Sequence, residues 1–461
     1  MNTSLSLPNP LKTPSLLQKL QWVFDPVGVV DKATQQYPDI FTAKIVGFGE
    51  TAVFVSHPQA IQEIFSHDWN RFVASGELLK IAQPIVGDSS ILLLTGERHK
   101  KRRKMLMPSF HGERMQSYGQ LIVDLAEKSF RELPQAQSFS AQSVMREIVL
   151  KVTLQAIFGL YEGENYQQIK NLYLLMLDGF RSSLNTSFLF FPFLQKNLGS
   201  WSPWGRFVRL RQQIDELLYA EISQRRSQAD SKRVDILSLM ISARDEVGQP
   251  MTDKELRDEL MSLMFGGHET SAVSIAWALY WIHRLPTVRE KLLQELDSLG
   301  SSADPISISQ LPYLTAVCNE TLRICPPALT TLPRVVQEPL ELLGYPLEPG
   351  TSVLVNIYST HYRNDLYPQP QKFQPERFLE RQYSIYEFLP FGGGARGCIG
   401  QALAMFEIKL VLATILSRYQ FALVERRPEK QKRRHFMLEP ANGVKMVITG
   451  HRSRSLSVLS E

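Results

Sequence analysis

Cysteine is scarce in this chain: only Cys318, Cys325 and Cys398 occur in 461 residues. No two of them stand at Cys-x-x-Cys spacing, and three thiols make no disulfide framework. Long apolar runs are missing as well. Lys12 and Lys19 interrupt the few leucines of residues 1–25, and no small-residue cleavage site follows. The longest apolar stretch elsewhere, Ala272 to Ile282, falls short of the roughly 20 residues that cross a bilayer. Residues 1–25 therefore read as a Pro-containing arm that leads into a helix, with no transmembrane anchor, and a soluble cytoplasmic protein is expected. No Gly/Ser-rich or Pro-rich linker divides the chain, and no repeat of solenoid period is present.

Charge is nearly balanced, with a formal net of +5. The basic residues gather in two clusters, Arg98-His99-Lys100-Lys101-Arg102-Arg103-Lys104 and Arg426 to Arg434. Neither is interleaved with aromatic side chains or set in a docking motif, so solvated basic faces are expected and nucleic acid is not.

Hydrophobic residues make up 44% of the chain and charged residues 21%, enough apolar material for a large core. Apolar residues recur at three- and four-residue spacing over Asp215 to Arg226, Thr252 to Leu285, Tyr313 to Ile324 and Ile399 to Leu416. Thr252 and Glu255 make a capping-box signal, and Pro286 ends the long pattern. That helix would run on the order of 50 Å at 1.5 Å per residue. Short β-prone runs lie at Phe41 to Val46, Ala52 to Val55, Leu340 to Leu342, Ser352 to Ile357 and Lys445 to Ile448. His361 to Phe391, rich in Pro, Asn, Asp and Gln, reads as irregular. The expected fold class is mainly α with a small β component. Cys318 and Cys325 bracket a helical segment and read as buried, inert thiols.

Cys398 has a different setting. It stands in Phe391-Gly-Gly-Gly-Ala-Arg-Gly-Cys-Ile-Gly400, just before a helix. Amide groups and the helix dipole there favour a thiolate, and glycines let the backbone pass close beneath a flat cofactor. The spacing of Gly392, Gly394 and Gly397 begins like a dinucleotide fingerprint, but no βαβ unit surrounds it. Phe391, Gly394, Arg396, Cys398 and Gly400 match the signature F-x-x-G-x-R-x-C-x-G, position for position. In this the chain resembles the cytochrome P-450 family.

The resemblance implies a single haem-binding domain over residues 1–461, with haem b as cofactor and Cys398 as the ligand of its iron. Phe391 belongs to the haem-binding signature, and Arg396 offers a charge for a haem propionate. His99 and Arg103, at i and i+4 on one helix face, match the family's propionate-binding helix, and Arg334 is a further propionate candidate. Glu320 and Arg323 look like the family's E-x-x-R motif, with Arg377 as its third member; their role is structural. Gly266-Gly267-His268-Glu269-Thr270-Ser271 looks like the oxygen-binding groove, where Gly266 leaves room, Thr270 bonds dioxygen and Glu269 relays protons. Two glycines within a helix cost roughly 1 kcal/mol each against Ala, so a compensating role is expected. His268 has no second His four residues on, which argues against a zinc site.

The implied activity is monooxygenation with dioxygen, since cysteine thiolate ligation favours O–O cleavage. No flavin or ferredoxin module is evident, so electrons would come from a separate ferredoxin or flavodoxin with its NAD(P)H reductase. Lys100, Lys101, Arg102 and Lys104 would steer that partner. A peroxygenase or isomerase, or a haem sensor, is the rival reading; Glu269-Thr270 argues against each. Phe188-Leu-Phe-Phe-Pro-Phe-Leu194, Ile91 to Leu94, Ala328 and Leu329 would form apolar walls, and Gly267 to Thr270 resembles fatty-acid hydroxylases. The expected substrate is a long apolar chain, a fatty acid or alkane, with a terpene as alternative.

Overall fold

A computed structural model of the chain describes residues 7–452 apart from 48, 75–76, 111, 113, 160–162, 180–187, 190–193, 229–232, 234, 301–302 and 435–436. Helices dominate. The longest, Asp253–Arg284, packs on Ala141–Phe158 and on Gln401–Arg418, and most of its residues are buried. Its capping box is formed as expected: the Thr252 hydroxyl accepts from the Glu255 amide while the Glu255 carboxylate accepts from the Thr252 amide. Pro286 ends this helix and also begins the next, Pro286–Ser298, where a first-turn proline needs no N–H partner.

The β component is a five-stranded sheet in the order Ile40–Lys44, Thr51–Val55, Ser352–Val355, Arg334–Val336, Phe72–Ala74. Only the pair of Thr51–Val55 with Ser352–Val355 is parallel, with Val53 opposite Val353. A hairpin (Leu340–Leu342 with Tyr345–Leu347), a second pair (Gln431–Arg434 with Met437–Pro440) and a three-stranded sheet around Lys445–His451 complete it. The expected strand to Ile357 stops at Val355, because Asn356 caps a short helix, Ile357–His361. The region from His361 to Phe391 is irregular except for one helical turn, Arg377–Glu380.

The large core cluster surrounds the long helix. A second lies between the sheet and helix Pro58–Ser66, and a third beneath the N-terminal helix Ser15–Phe24, anchored by Trp22. Among the described residues no helix is long and apolar enough to cross a membrane. Cys318 and Cys325 are buried, and burial pushes both thiols up to about 12, as expected of inert packing residues. The basic run Arg426 to Arg434 is only partly a solvated face: Arg433 lies over the Trp22 ring and Arg434 pairs with Glu439 at 2.7 Å.

Candidate functional site

The loop Phe391–Gly400 is closed on itself by the Cys398 amide, which donates to the Phe391 carbonyl at 2.9 Å. Gly394 has φ +65°, a left-handed geometry that side chains rarely adopt, and a Cβ there would stand 2.5 Å from Asp68 Oδ2. A Cβ on Gly393 would run into the Phe65 ring. The glycines thus let the loop lie against Phe65 and Asp68. Cys398 itself is exposed, yet burial dominates its acidity and raises its pKa; both hold for a sulfur on the wall of a concavity. The Gly400 amide and the Arg103 charge oppose that rise. The expected anion-favouring devices are present, then, but burial outweighs them, and a bound cation is what would bring the thiolate into the majority.

Four basic residues converge beside the loop. Arg103, from helix Gly96–Leu106, donates to the Gly397 carbonyl at 2.7 Å. Arg396 donates to the carbonyls of Ile91, at 3.0 Å, and Leu94. Arg334 makes a two-point pair with Asp68, including Nη2 to Oδ2 at 2.9 Å, and donates to the Leu332 carbonyl at 2.7 Å. His99 is 2% exposed, and burial, with Arg396, Arg103 and Arg334 nearby, depresses its pKa to about 3, so it is neutral. Among the described residues its Nδ1 is buried without a hydrogen-bond partner. Among the described residues only Asp68 answers this charge directly, and neither the loop motif nor helical spacing pointed to it.

On the long helix, the Gly266-Gly267 pair lies at the surface of the fold's interior, with nothing within 4 Å of a Cβ built on Gly266. The Thr270 hydroxyl donates to the Gly266 carbonyl at 2.8 Å, so its oxygen keeps lone pairs free to accept. Glu269 is held by Arg146, Nε to Oε2 at 2.7 Å, and Arg146 also grips the buried Glu439 at 2.7 Å. His268 is fully buried, and its Nε2 bonds the Arg146 carbonyl at 3.0 Å. Arg146 sits 123 residues before Glu269, and nothing in the sequence flagged it.

The family model for cytochrome P450 matches residues 8–446. The chain belongs to the cytochrome P450 family. It is 33% identical over 422 residues to a Mycobacterium tuberculosis protein assigned as cytochrome P450 135B1, covering 91% of this chain and 87% of that one. A second M. tuberculosis protein, assigned as cytochrome P450 137, is 32% identical over 414 residues, 89% of this chain and 83% of that one. Among solved structures, cyanobacterial CYP120A1 with retinoic acid bound superposes with TM-score 0.83 over 97% of this chain and all of the other, at 24% identity. The haem domain of cytochrome P450DA gives 0.83 over 97% and 98%, at 21% identity. This P450 is accordingly a monooxygenase with haem b as cofactor, and it works with dioxygen, an electron-donating partner and a substrate.

The residues of this site fit that cofactor. A flat dianionic group suits the four basic residues, the unpartnered nitrogen of His99, the accessible Cys398 sulfur and the uncrowded flank of Gly266. The P450 E-x-x-R motif is formed: Arg323 makes a two-point pair with Glu320 at 2.6 and 2.8 Å, and Arg377 reaches the same carboxylate at 3.2 Å. His361, neutral with a pKa lowered by burial to about 3, links this cluster to the loop. Its Nδ1 bonds the Arg323 carbonyl at 3.2 Å and its Nε2 accepts from the Leu389 amide at 3.0 Å. Sequence reasoning missed His361 because it opens the stretch that reads as irregular.

One expectation about the basic helix is overturned. Arg102 is not on the surface: it is buried, pairing with Glu255 and, at 2.7 Å, with Glu259. It lies on the inner helix face, whereas Lys100, Lys101 and Lys104 are exposed. Of the expected apolar walls, Ile91, Leu94 and Leu329 are buried core side chains, and Leu92, Leu93 and Ala328 are partly buried. In the segment 188–194, Phe188 is half-buried and Leu189 buried, while 190–193 lie outside the described residues.

Proposed function

We propose that Cys398 is the residue that would hold the haem iron and that the whole chain, 1–461, acts as one catalytic domain in the cytoplasm. The haem supplies dioxygen activation; the protein supplies orientation, proton delivery and exclusion of water. The carrying observation is the accessible Cys398 sulfur, which has the Gly400 amide and Arg103 beside it and lies among basic residues suited to two propionates. His99, Arg103, Arg334 and Arg396 would hold those propionates. The Thr270 oxygen would accept from a water at its free lone pairs, or its hydroxyl, turned from the Gly266 carbonyl, would donate to dioxygen, and Glu269, tethered by Arg146, would hand protons inward. In the reduced carbon monoxide complex, Cys398→Ser is expected to lose the thiolate-type absorption completely; retention of that absorption would remove Cys398 as ligand.

The electron donor is a ferredoxin or flavodoxin with its NAD(P)H reductase, steered by Lys100, Lys101 and Lys104 without Arg102. Neutralising the three lysines together should slow first-electron transfer and flatten its salt dependence. An unchanged rate would reassign them to plain solvation. The substrate is a long apolar chain, a fatty acid or an alkane, and a terpene is the second choice. Support comes from the apolar segment that begins with Phe188 and Leu189 and from Gly267-His268-Glu269-Thr270. Titrating fatty acids, alkanes and terpenes against the haem spin state tests it. Spin shifts with small polar compounds, and none with apolar chains, would end this reading.

A further inference from the structure

Two clefts flank helix Pro203–Ser227 and share Trp204 and Phe207 as a wall. The larger, of about 650 Å³, is lined by three bases and three acids that answer one another. Arg257 pairs with Asp215 and, at 2.7 Å, with Asp258; Lys254 pairs with Asp258 at 3.4 Å and also with Asp88; Arg211 lies 3.8 Å from Asp215. Its charges are already satisfied, so it makes no demand for a ligand.

The second cleft, of about 540 Å³, is built differently. It opens between helix Glu164–Asp178 and helix Pro203–Ser227, and Leu175, Met176, Phe188, Trp204 and Leu210 give it apolar walls. Arg206 and Arg209 also line it, and among the described residues none of its lining is acidic. Three residues apart on one helix, these arginines share a face, and like charges so placed repel. Both are exposed, and among the described residues neither guanidinium has a hydrogen bond or an ion pair. Phe188 belongs to the apolar segment that the sequence singled out.

We infer that this cleft binds a single anionic amphiphile, a long-chain carboxylate whose head group is gripped by Arg206 and Arg209 while its chain lies along the apolar walls. Guanidinium groups match a carboxylate geometrically, and a carboxylate would relieve their mutual repulsion. The volume is in the range of small-molecule sites, roughly 300–1,000 Å³. The choice of a long chain rests on the substrate reading above, and the arginine pair adds that the acid, not the alkane or alcohol, is what the protein recognises.

The test uses the haem-loaded full chain, wild type and Arg206→Gln/Arg209→Gln. Palmitate, below its micellar concentration, and hexadecanol are titrated by calorimetry and by haem spin state in parallel. Both substituted positions are exposed, and an unchanged carbon monoxide spectrum verifies the fold. Palmitate affinity is expected to fall at least about tenfold in the double variant, the scale of charge-assisted bonds lost, with hexadecanol affinity unchanged. Equal palmitate affinity in both proteins overturns the inference, as does an equal loss for the alcohol. Loss of binding to phosphatidylglycerol vesicles with palmitate affinity intact overturns it in favour of a membrane-facing patch. A calorimetric signal that depends on the arginines, without any spin shift, supports the cleft while failing the substrate reading. A spin shift that ignores the arginines does the reverse.

Discussion

Glycine serves opposite purposes at the two halves of the site. In the loop before Cys398 it permits contact: Gly393 lies against the Phe65 ring and Gly394, at φ +65°, against Asp68. In the long helix it preserves room: Gly266 has a helical backbone and no neighbour within 4 Å of where a Cβ would sit. The same residue type, read from sequence alone, looks equally like weakness in both places. The first pair is a packing requirement of the protein, and the second is a requirement of whatever approaches the helix. Between them, Ser271 on the long helix lies close to the buried Glu407 of helix Gln401–Arg418, and its side chain opposes the rise in the Glu407 pKa that burial brings.

Substitutions can break or sharpen this contrast. Gly393→Ala forces a methyl into the Phe65 ring, and a loss of about 1–3 kcal/mol in unfolding free energy is expected, with lower haem content. Adding Phe65→Leu should recover part of it; no recovery in a denaturation series would mean the clash is not the cause. The next effect depends on pH. Burial raises Glu407 from its ordinary 4.5 to about 8. Between those values the unfolded chain releases a proton that the folded chain keeps, so stability falls as pH rises from about 4.5 toward 8. Glu407→Gln, which cannot ionise, should flatten that slope in thermal melts across the window. An unaltered slope would place the dependence elsewhere.

Thr270→Ala removes one bond to the Gly266 carbonyl, about 0.5–1.5 kcal/mol, and leaves haem binding intact. Its larger signature is functional: reducing equivalents should appear as peroxide or water instead of product. Unchanged coupling of electron input to product would remove Thr270 from proton delivery. The smallest stability effect has the opposite sign. Gly266→Ala meets nothing, so helix propensity should raise stability by up to roughly 1 kcal/mol, while carbon monoxide binding to the reduced enzyme weakens. A variant that is both destabilised and unaltered in ligand binding would make Gly266 a packing residue like Gly393.

Much of the fold was legible wherever pattern and partner lie close in sequence. The long helix begins at its capping box, and Glu320 finds Arg323 one turn away. Strand bounds slipped by a few residues, and Phe72–Ala74 went unseen, because a three-residue strand carries no periodicity and owes its pairing to Arg334–Val336.

The amino-acid sequence by itself determined the Cys398 loop, the glycine interruption at Gly266, the acid–alcohol pair Glu269-Thr270 and the helical class, since each is a local pattern whose chemistry is carried by neighbouring residues. Tertiary structure alone decided which way charges point. Arg102 turns inward to Glu259 while Lys101 beside it faces out; Arg334 meets Asp68 across 266 positions; Arg146 clamps Glu269 across 123. Spacing along a helix says which side chains share a face. It does not say which face is covered, or what waits on the covering element, because burial and ion-pair geometry arise only when distant segments pack together.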